Sequence, residues 1–327
     1  MSKLNRILAA ILLFQAALVV YVYWPKPQAS AGEPKPLFAD LEKGRITSLT
    51  LFSEPVSKGG KSLELIKNGE SWTIPSKDNY PADNDRVNGL LDKIASLNTK
   101  ILVAKTKSSH RRLKVAEDEY NRMVEMRYVS GDEPKRLYLG SSPAYRKVHI
   151  RNGIQNEVYL TKDIAAWEVG AEVATWMNHK YLDLQADNVS AITIENSHGR
   201  LEFEKSGDGS WTLNSLKDDE KINQSSWKTL LGKALSIRMM EPLGRQEQKS
   251  YAMEKPSVSI VIKTSDGSDI TLKAGAKDEE KNSYVVKSSE SPFYVRVSGY
   301  TIEDLISARK DNLLEVVDPD SGADKAE

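Results

Sequence analysis

Apolar and polar residues alternate along this chain in one order, and then alternate again in the same order. Leu49 and Leu51 stand against Ser48 and Thr50, and Leu63 and Leu65 against Ser62 and Glu64, the period-two pattern of a half-buried antiparallel pair. Asn68-Gly69, read as the centre of a type I′ hairpin turn, leads to a strand through Trp72. After Pro81-Ala82-Asp83 the period changes to that of a helix. Val87, Leu90, Leu91, Ile94 and Leu97 form one stripe, Asp83 is placed to cap it, and Asp92 and Lys93 fall on the wet face. The succession then returns with Ile192, Ile194, Leu201 and Phe203, the turn Asp208-Gly209, Trp211, the cap Asn223, and the stripe Trp227, Leu230, Leu231, Ala234 and Ile237. Nearly equal intervals separate Trp72 from Trp211 and Asp83 from Asn223. A second run of strands follows each helix: Val124, Met126, Tyr128, Leu137 and Leu139 match Val258, Ile260, Ile262, Ile270 and Leu272, and Val158-Tyr159-Leu160 matches Phe293-Tyr294-Val295.

This patterning predicts an α+β protein: an N-terminal transmembrane helix followed by two tandem copies of an antiparallel-sheet-plus-helix domain. The expected boundaries are a cytoplasmic N-terminus at 1–6, an anchor at 7–24, a linker at 25–37, a first copy at 38–187, a second at 188–317 and a disordered tail at 318–327. The anchor rests on a run of about 18 residues, apolar except for Gln15, which as a helix spans about 27 Å. Lys3 and Arg6 precede it, Tyr21, Tyr23 and Trp24 sit where an interfacial belt belongs, and Pro25 and Pro27 end it. The basic flank orients the N-terminus inward and the bulk of the chain toward the periplasm. Cleavage of a signal peptide after Ala31, in Ala29-Ser30-Ala31, is the competing reading; the run is longer than a usual signal core.

Composition narrows the chemistry. The chain has 327 residues, enough for two domains, and its 46 basic and 46 acidic side chains cancel, with no basic block to recruit nucleic acid. It has no cysteine, which removes thiol catalysis, Cys-ligated zinc and disulfides together. His110, His149, His179 and His198 are scattered without metal-ligand spacing. Gly60-Lys61-Ser62 lacks the upstream glycine of a phosphate loop, since Pro55 stands there, and neither Ser141 nor Ser142 sits in a G-x-S-x-G elbow. The runs Glu117-Asp118-Glu119 and Asp218-Asp219-Glu220 have no calcium-loop spacing and read as solvated charge. Trp72 and Trp211 read as core plugs between sheet and helix. The segment from Ala165 to Lys180, with Trp167 and Trp176, is the largest asymmetry between the copies, and its two indoles are the expected partner-facing patch. No catalytic, cofactor-binding or metal-binding residue is nominated, and no cofactor is expected.

Leu65-Ile-Lys-Asn-Gly-Glu-Ser-Trp-Thr-Ile-Pro75, continued by Tyr80-Pro-Ala-Asp83 and the helix to Leu97, resembles the bacterial domain-of-unknown-function family four-three-four-zero. Tyr251-Ala-Met-Glu-Lys-Pro256 resembles the same family's junction before a strand. Copy one departs from that junction with Leu113-Lys-Val-Ala-Glu-Asp-Glu-Tyr120, and copy two has 214–217 where a Pro-Ala-Asp approach belongs. The resemblance implies a single-span, outward-facing protein associated with gliding-motility-type ABC transport systems. It therefore implies a non-enzymatic accessory module whose partner is a permease or associated subunit. A periplasmic ligand-binding module for cell-wall glycan or peptide, using a groove between the copies, is the alternative.

Overall fold

The computed structural model describes residues 12–15, 18, 33–129 and 131–315. The expected anchor falls outside these except for 12–15 and 18, which are helical, and the expected cleavage site at Ala31 and the tail at 318–327 fall outside them altogether. Among the described residues no helix is long and apolar enough to cross a membrane.

Two nine-stranded sheets dominate. From edge to edge the first runs Tyr80–Pro81, Ser71–Ile74, Ser62–Asn68, Ile46–Phe52, Arg122–Tyr128, Lys135–Leu139, Val148–Asn152, Val158–Thr161 and Leu102–Ala104. The second runs Lys180–Asp183, Ser236–Gly244, Tyr294–Ser298, Ser283–Ser288, Asp269–Asp278, Val258–Thr264, Val189–Asn196, Gly199–Lys205 and Trp211–Leu213. Every pairing in both is antiparallel. Apart from one edge strand in each, the two orders are the same once the second is read in reverse. The protein is thus mostly β, with few helices.

Each sheet packs one face on the helix that follows its fourth strand in chain order. Val87, Leu90, Leu91 and Ile94 of helix Asn84–Ser96 are buried against Leu49, Leu65, Trp72 and Ile74. Asp83 caps this helix by accepting from the Arg86 N–H at 3.1 Å, and Asn223 does the same for helix Gln224–Leu235 by accepting from Ser226 at 3.0 Å. Two local expectations need correction. The second helix ends at Leu235, so Ile237 belongs to the next strand, although it is still buried. In the first hairpin Asn68 pairs with Ser71, so the loop residues are Gly69 and Glu70, and only Gly69 has positive φ. Glycine first is the type II′ arrangement.

The copies also begin earlier than composition suggests. Leu37, assigned to the linker, is only 2% exposed and donates its N–H to Leu97 O at 2.8 Å, just past the helix end. Leu184 donates to Leu235 O at 3.0 Å in the same way, and the strand Lys180–Asp183 before it already pairs with the second sheet, well before residue 188. The junction between the sheets is packed. Tyr80 meets Phe293 edge-on at 4.9 Å and donates to Asn178 O at 3.1 Å, Arg245 lies over the Phe293 ring at 4.7 Å, and Tyr181 donates to Phe293 O at 2.6 Å. One apolar core runs continuously through both sheets.

A backbone motif absent from the residue pattern recurs on the second face of each sheet. Lys114 and Ala252 both take left-handed φ, 55° and 54°, at the start of the chain's return to the sheet. There the preceding carbonyl presses on a glycine: a Cβ on Gly140 would lie 2.1 Å from Leu113 O, and one on Gly275 would lie 2.0 Å from Tyr251 O. Copy one therefore keeps the geometry of the Tyr251-to-Pro256 junction although its residues differ.

Candidate functional site

The structure disperses most of the titratable groups. Among the described residues no group of three or more His, Asp or Glu side chains is placed to hold a metal ion. His110 is buried and bonds Asn156 O at 2.8 Å through Nε2. His179 faces two backbone carbonyls, Met239 O from Nδ1 and Ala174 O from Nε2, each at 2.9 Å. His198 is exposed. Three of the six acids in the two runs are in ion pairs: Asp118 with Arg111, Glu119 with Lys58, and Glu220 with Lys310. Lys58 holds the Glu119 carboxyl below its ordinary range.

One pair escaped sequence reasoning. Ser141 Oγ lies 3.1 Å from His149 Nδ1, across the hairpin that joins Lys135–Leu139 to Val148–Asn152. Burial lowers the His149 pKa, which favours the neutral ring. The same hydroxyl lies 3.2 Å from Leu113 O, and Ser141 is partly buried. Among the described residues no carboxylate bonds the ring, and the pair ties the hairpin to the left-handed turn at Lys114. Its only signal in sequence is a serine and a histidine eight positions apart across a turn.

Arg151, 3% exposed, is the most deeply buried Lys or Arg among the described residues. Its Nε donates to Val115 O at 2.7 Å, its Nη1 to Gly153 O at 3.0 Å and Gln155 O at 3.1 Å, and the guanidinium lies over the Tyr138 ring at 4.4 Å. It forms the floor of a concavity of about 570 Å³ walled by Lys107, His110, Glu117 and Asp118. With Nε and Nη1 bonded to carbonyls, Arg151 holds the turn together.

The surface with chemistry to spare lies around Trp167. The indole, 72% exposed, sits on the 3-10 turn Ala166–Glu168. Glu168 fixes that turn twice: it accepts from Ala165 N–H at 2.8 Å and pairs with Lys93 on the last turn of helix Asn84–Ser96. Facing Trp167 across a concavity of about 610 Å³ is the tip of the hairpin that carries Ser141 and His149, where Ala144 bridges to Lys147 and presents Tyr145, 90% exposed, and Arg146. Arg146, Lys147 and Lys162 line the same concavity, are exposed, and make no ion pair among the described residues. Trp176 corrects the sequence expectation. It is only 1% exposed, donates Nε1–H to Gly170 O at 2.7 Å and lies beneath Arg86 at 5.5 Å, while its carbonyl receives Asp83 N–H at 2.7 Å. Of the two indoles in the asymmetric segment, one braces the first helix and the other faces outward.

A family model described as a domain of unknown function (DUF4340) matches residues 72–256, more than half of the 327-residue chain. The chain belongs to the DUF4340 family. The DUF4340 match opens at Trp72 in the first sheet and closes at Pro256, immediately before the strand Val258–Thr264 of the second. The family unit thus bridges the two sheets, and the Trp167 surface lies inside it. No curated protein and no solved structure matches this DUF4340 chain.

Proposed function

We propose that this DUF4340 protein is a non-enzymatic, membrane-tethered module that faces the periplasm and acts as an accessory or scaffold through protein contacts, with an ABC transport complex as partner. The observation that carries this reading is the filled junction: Tyr80, Phe293, Arg245 and Tyr181 join two like sheets into one core, which suits a rigid platform. The dispersal of histidines and carboxylates into structural bonds agrees with it. For the tether, Leu12, Leu13 and Phe14 are helical and largely exposed, so the fold itself leaves these apolar side chains uncovered. The permease partner rests on the family resemblance. Crosslinking in intact cells followed by affinity capture from solubilised membranes tests the reading: mass spectrometry is expected to identify a permease or an associated transporter subunit with the chain. Recovery of the chain alone, or from the soluble fraction, would count against it.

A further inference from the structure

The concavity between Trp167 and Tyr145 differs from the rest of the surface in three ways, and they point to one occupant. It pairs an exposed indole and an exposed phenol ring, the side chains that settle at the boundary between hydrocarbon and water. It gathers Arg146, Lys147 and Lys162, which make no ion pair among the described residues, against the carboxylates of Asp163 and of Glu168, the latter already paired with Lys93, on a chain whose charges cancel at 46 against 46. It also lies close to where the chain enters the fold. Thr99 N–H bonds Lys35 O at 2.9 Å and Leu37 N–H bonds Leu97 O at 2.8 Å, so the incoming segment is fastened at the end of helix Asn84–Ser96. Lys93, on that helix's last turn, lines the same concavity.

We infer that this patch of the first copy docks on the anionic surface of the bilayer in which the chain's own N-terminal segment is held, with Trp167 and Tyr145 in the interfacial layer and Arg146, Lys147 and Lys162 on lipid phosphates. The inference rests on the tether reading above. If the apolar run to Trp24 is inserted, the roughly ten residues before Lys35 reach at most about 35 Å, so the first copy cannot stand farther from the membrane than that. Within such a reach the local concentration of surface is high, and weak contacts suffice. Each cation near an anionic leaflet multiplies the docked population by about fivefold. A buried acidic protein surface would use the same cations, but the exposed aromatic pair at the side of the fold where the tether arrives favours lipid.

The absence of cysteine makes the test clean. The full chain carrying Ser142→Cys, at the rim of the concavity, is labelled with an environment-sensitive dye and reconstituted into vesicles of phosphatidylcholine with or without phosphatidylglycerol. A second label at Ser225→Cys, exposed on the other copy, serves as reference. The inference expects a blue-shifted emission at position 142, quenched by headgroup-brominated lipid, in anionic vesicles only, with no change at position 225. Neutralising Arg146→Gln, Lys147→Gln and Lys162→Gln together is expected to lower the docked population by roughly a hundredfold, with unchanged melting because all three are exposed. If the chain floats with vesicles but the dye stays in water in both lipids, the docking is wrong and the tether stands. If the chain does not float at all, the tether reading fails. A shift at position 142 that appears only with a co-purified membrane protein would assign the patch to that protein and overturn the lipid assignment.

Discussion

Arg151 and Lys287 occupy the same place in the two sheets. Ile150 pairs with Leu139 and Tyr159, and Val286 pairs with Ala274 and Val295, so each cation is the next residue of the corresponding strand. Each reaches the carbonyl four residues on, Arg151 to Gln155 O at 3.1 Å and Lys287 to Ser291 O at 2.5 Å, and each lies over a tyrosine of a neighbouring strand, Tyr138 on the strand before it or Tyr294 on the strand after it. A cation that gathers the carbonyls of a hairpin turn has been kept in both copies while the residue type changed. The buried one is the guanidinium, whose spread-out charge and several donors tolerate burial better than an ammonium.

Removing the Arg151 side chain would leave the carbonyls of Val115, Gly153 and Gln155 without a donor in a buried place. Arg151→Met is expected to lower the unfolding free energy by about 3 kcal/mol in urea titration, and Lys287→Met, at a partly exposed site, by about 1 kcal/mol. Equal losses would deny the role of burial.

Trp72 and Trp211 sit on corresponding strands and are both buried, but their surroundings differ. Trp72 Nε1 reaches Asn88 Oδ1 at 3.4 Å, whereas Trp211 packs on Trp227 at 5.3 Å, which is itself stacked on Phe203 at 3.8 Å. Trp72→Ala and Trp211→Ala should each cost about 3 to 5 kcal/mol, as aromatic core truncations do. Calorimetry showing an unchanged melting temperature for either would remove it from the core.

The paired glycines make a sharper test of the shared backbone. Gly140→Ala and Gly275→Ala would place a methyl about 2 Å from a fixed carbonyl oxygen, so each should destabilise by about 2 kcal/mol or more. Gly89→Ala and Gly232→Ala, on helices with nothing within 4 Å of the new Cβ, should stabilise by about 0.5 to 1 kcal/mol. The two pairs of variants should therefore move in opposite directions in the same denaturation assay.

Alkali should unfold the protein through its buried phenols. Burial pushes Tyr120 and Tyr294 up to about 12, and the Glu247 carboxylate that accepts from the Tyr294 hydroxyl at 2.7 Å adds to the rise. Because the folded value exceeds the unfolded one of about 10, this stability is whole below pH about 10 and is lost as pH climbs toward 12. Tyr120→Phe should flatten the melting temperature over that window. His149 acts with the opposite sign: its lowered pKa means that the stability it contributes is whole above about pH 6.5 and shrinks as pH falls below that value.

Much of the local structure is legible from the residues. Alternation at Leu49, Leu51, Leu63 and Leu65 yields strands because a pleated backbone sends successive side chains to opposite faces, and the stripe from Val87 to Ile94 yields a helix because its spacing closes one face. Asp83 and Asn223 mark the helix starts because their side chains supply an acceptor that the first turn lacks. These are short-range rules, and a linear reading applies them well.

What tertiary structure alone decided is which side chains meet. Trp167 and Trp176 look equivalent in a row of letters, yet one is buried beneath Arg86 and the other faces out, because only the folded segment shows which indole returns to the helix start at Asp83. Ser141 found His149, Arg151 found four carbonyls, and Gly140 found Leu113 by chain reversals whose partners no periodicity names. The sequence by itself determined most of the core strands, the two longer helices and their caps, since each depends on neighbours within a turn or a pleat. The placement of cations, rings and close-packed glycines belonged to the fold, since it depends on contacts between residues far apart along the chain.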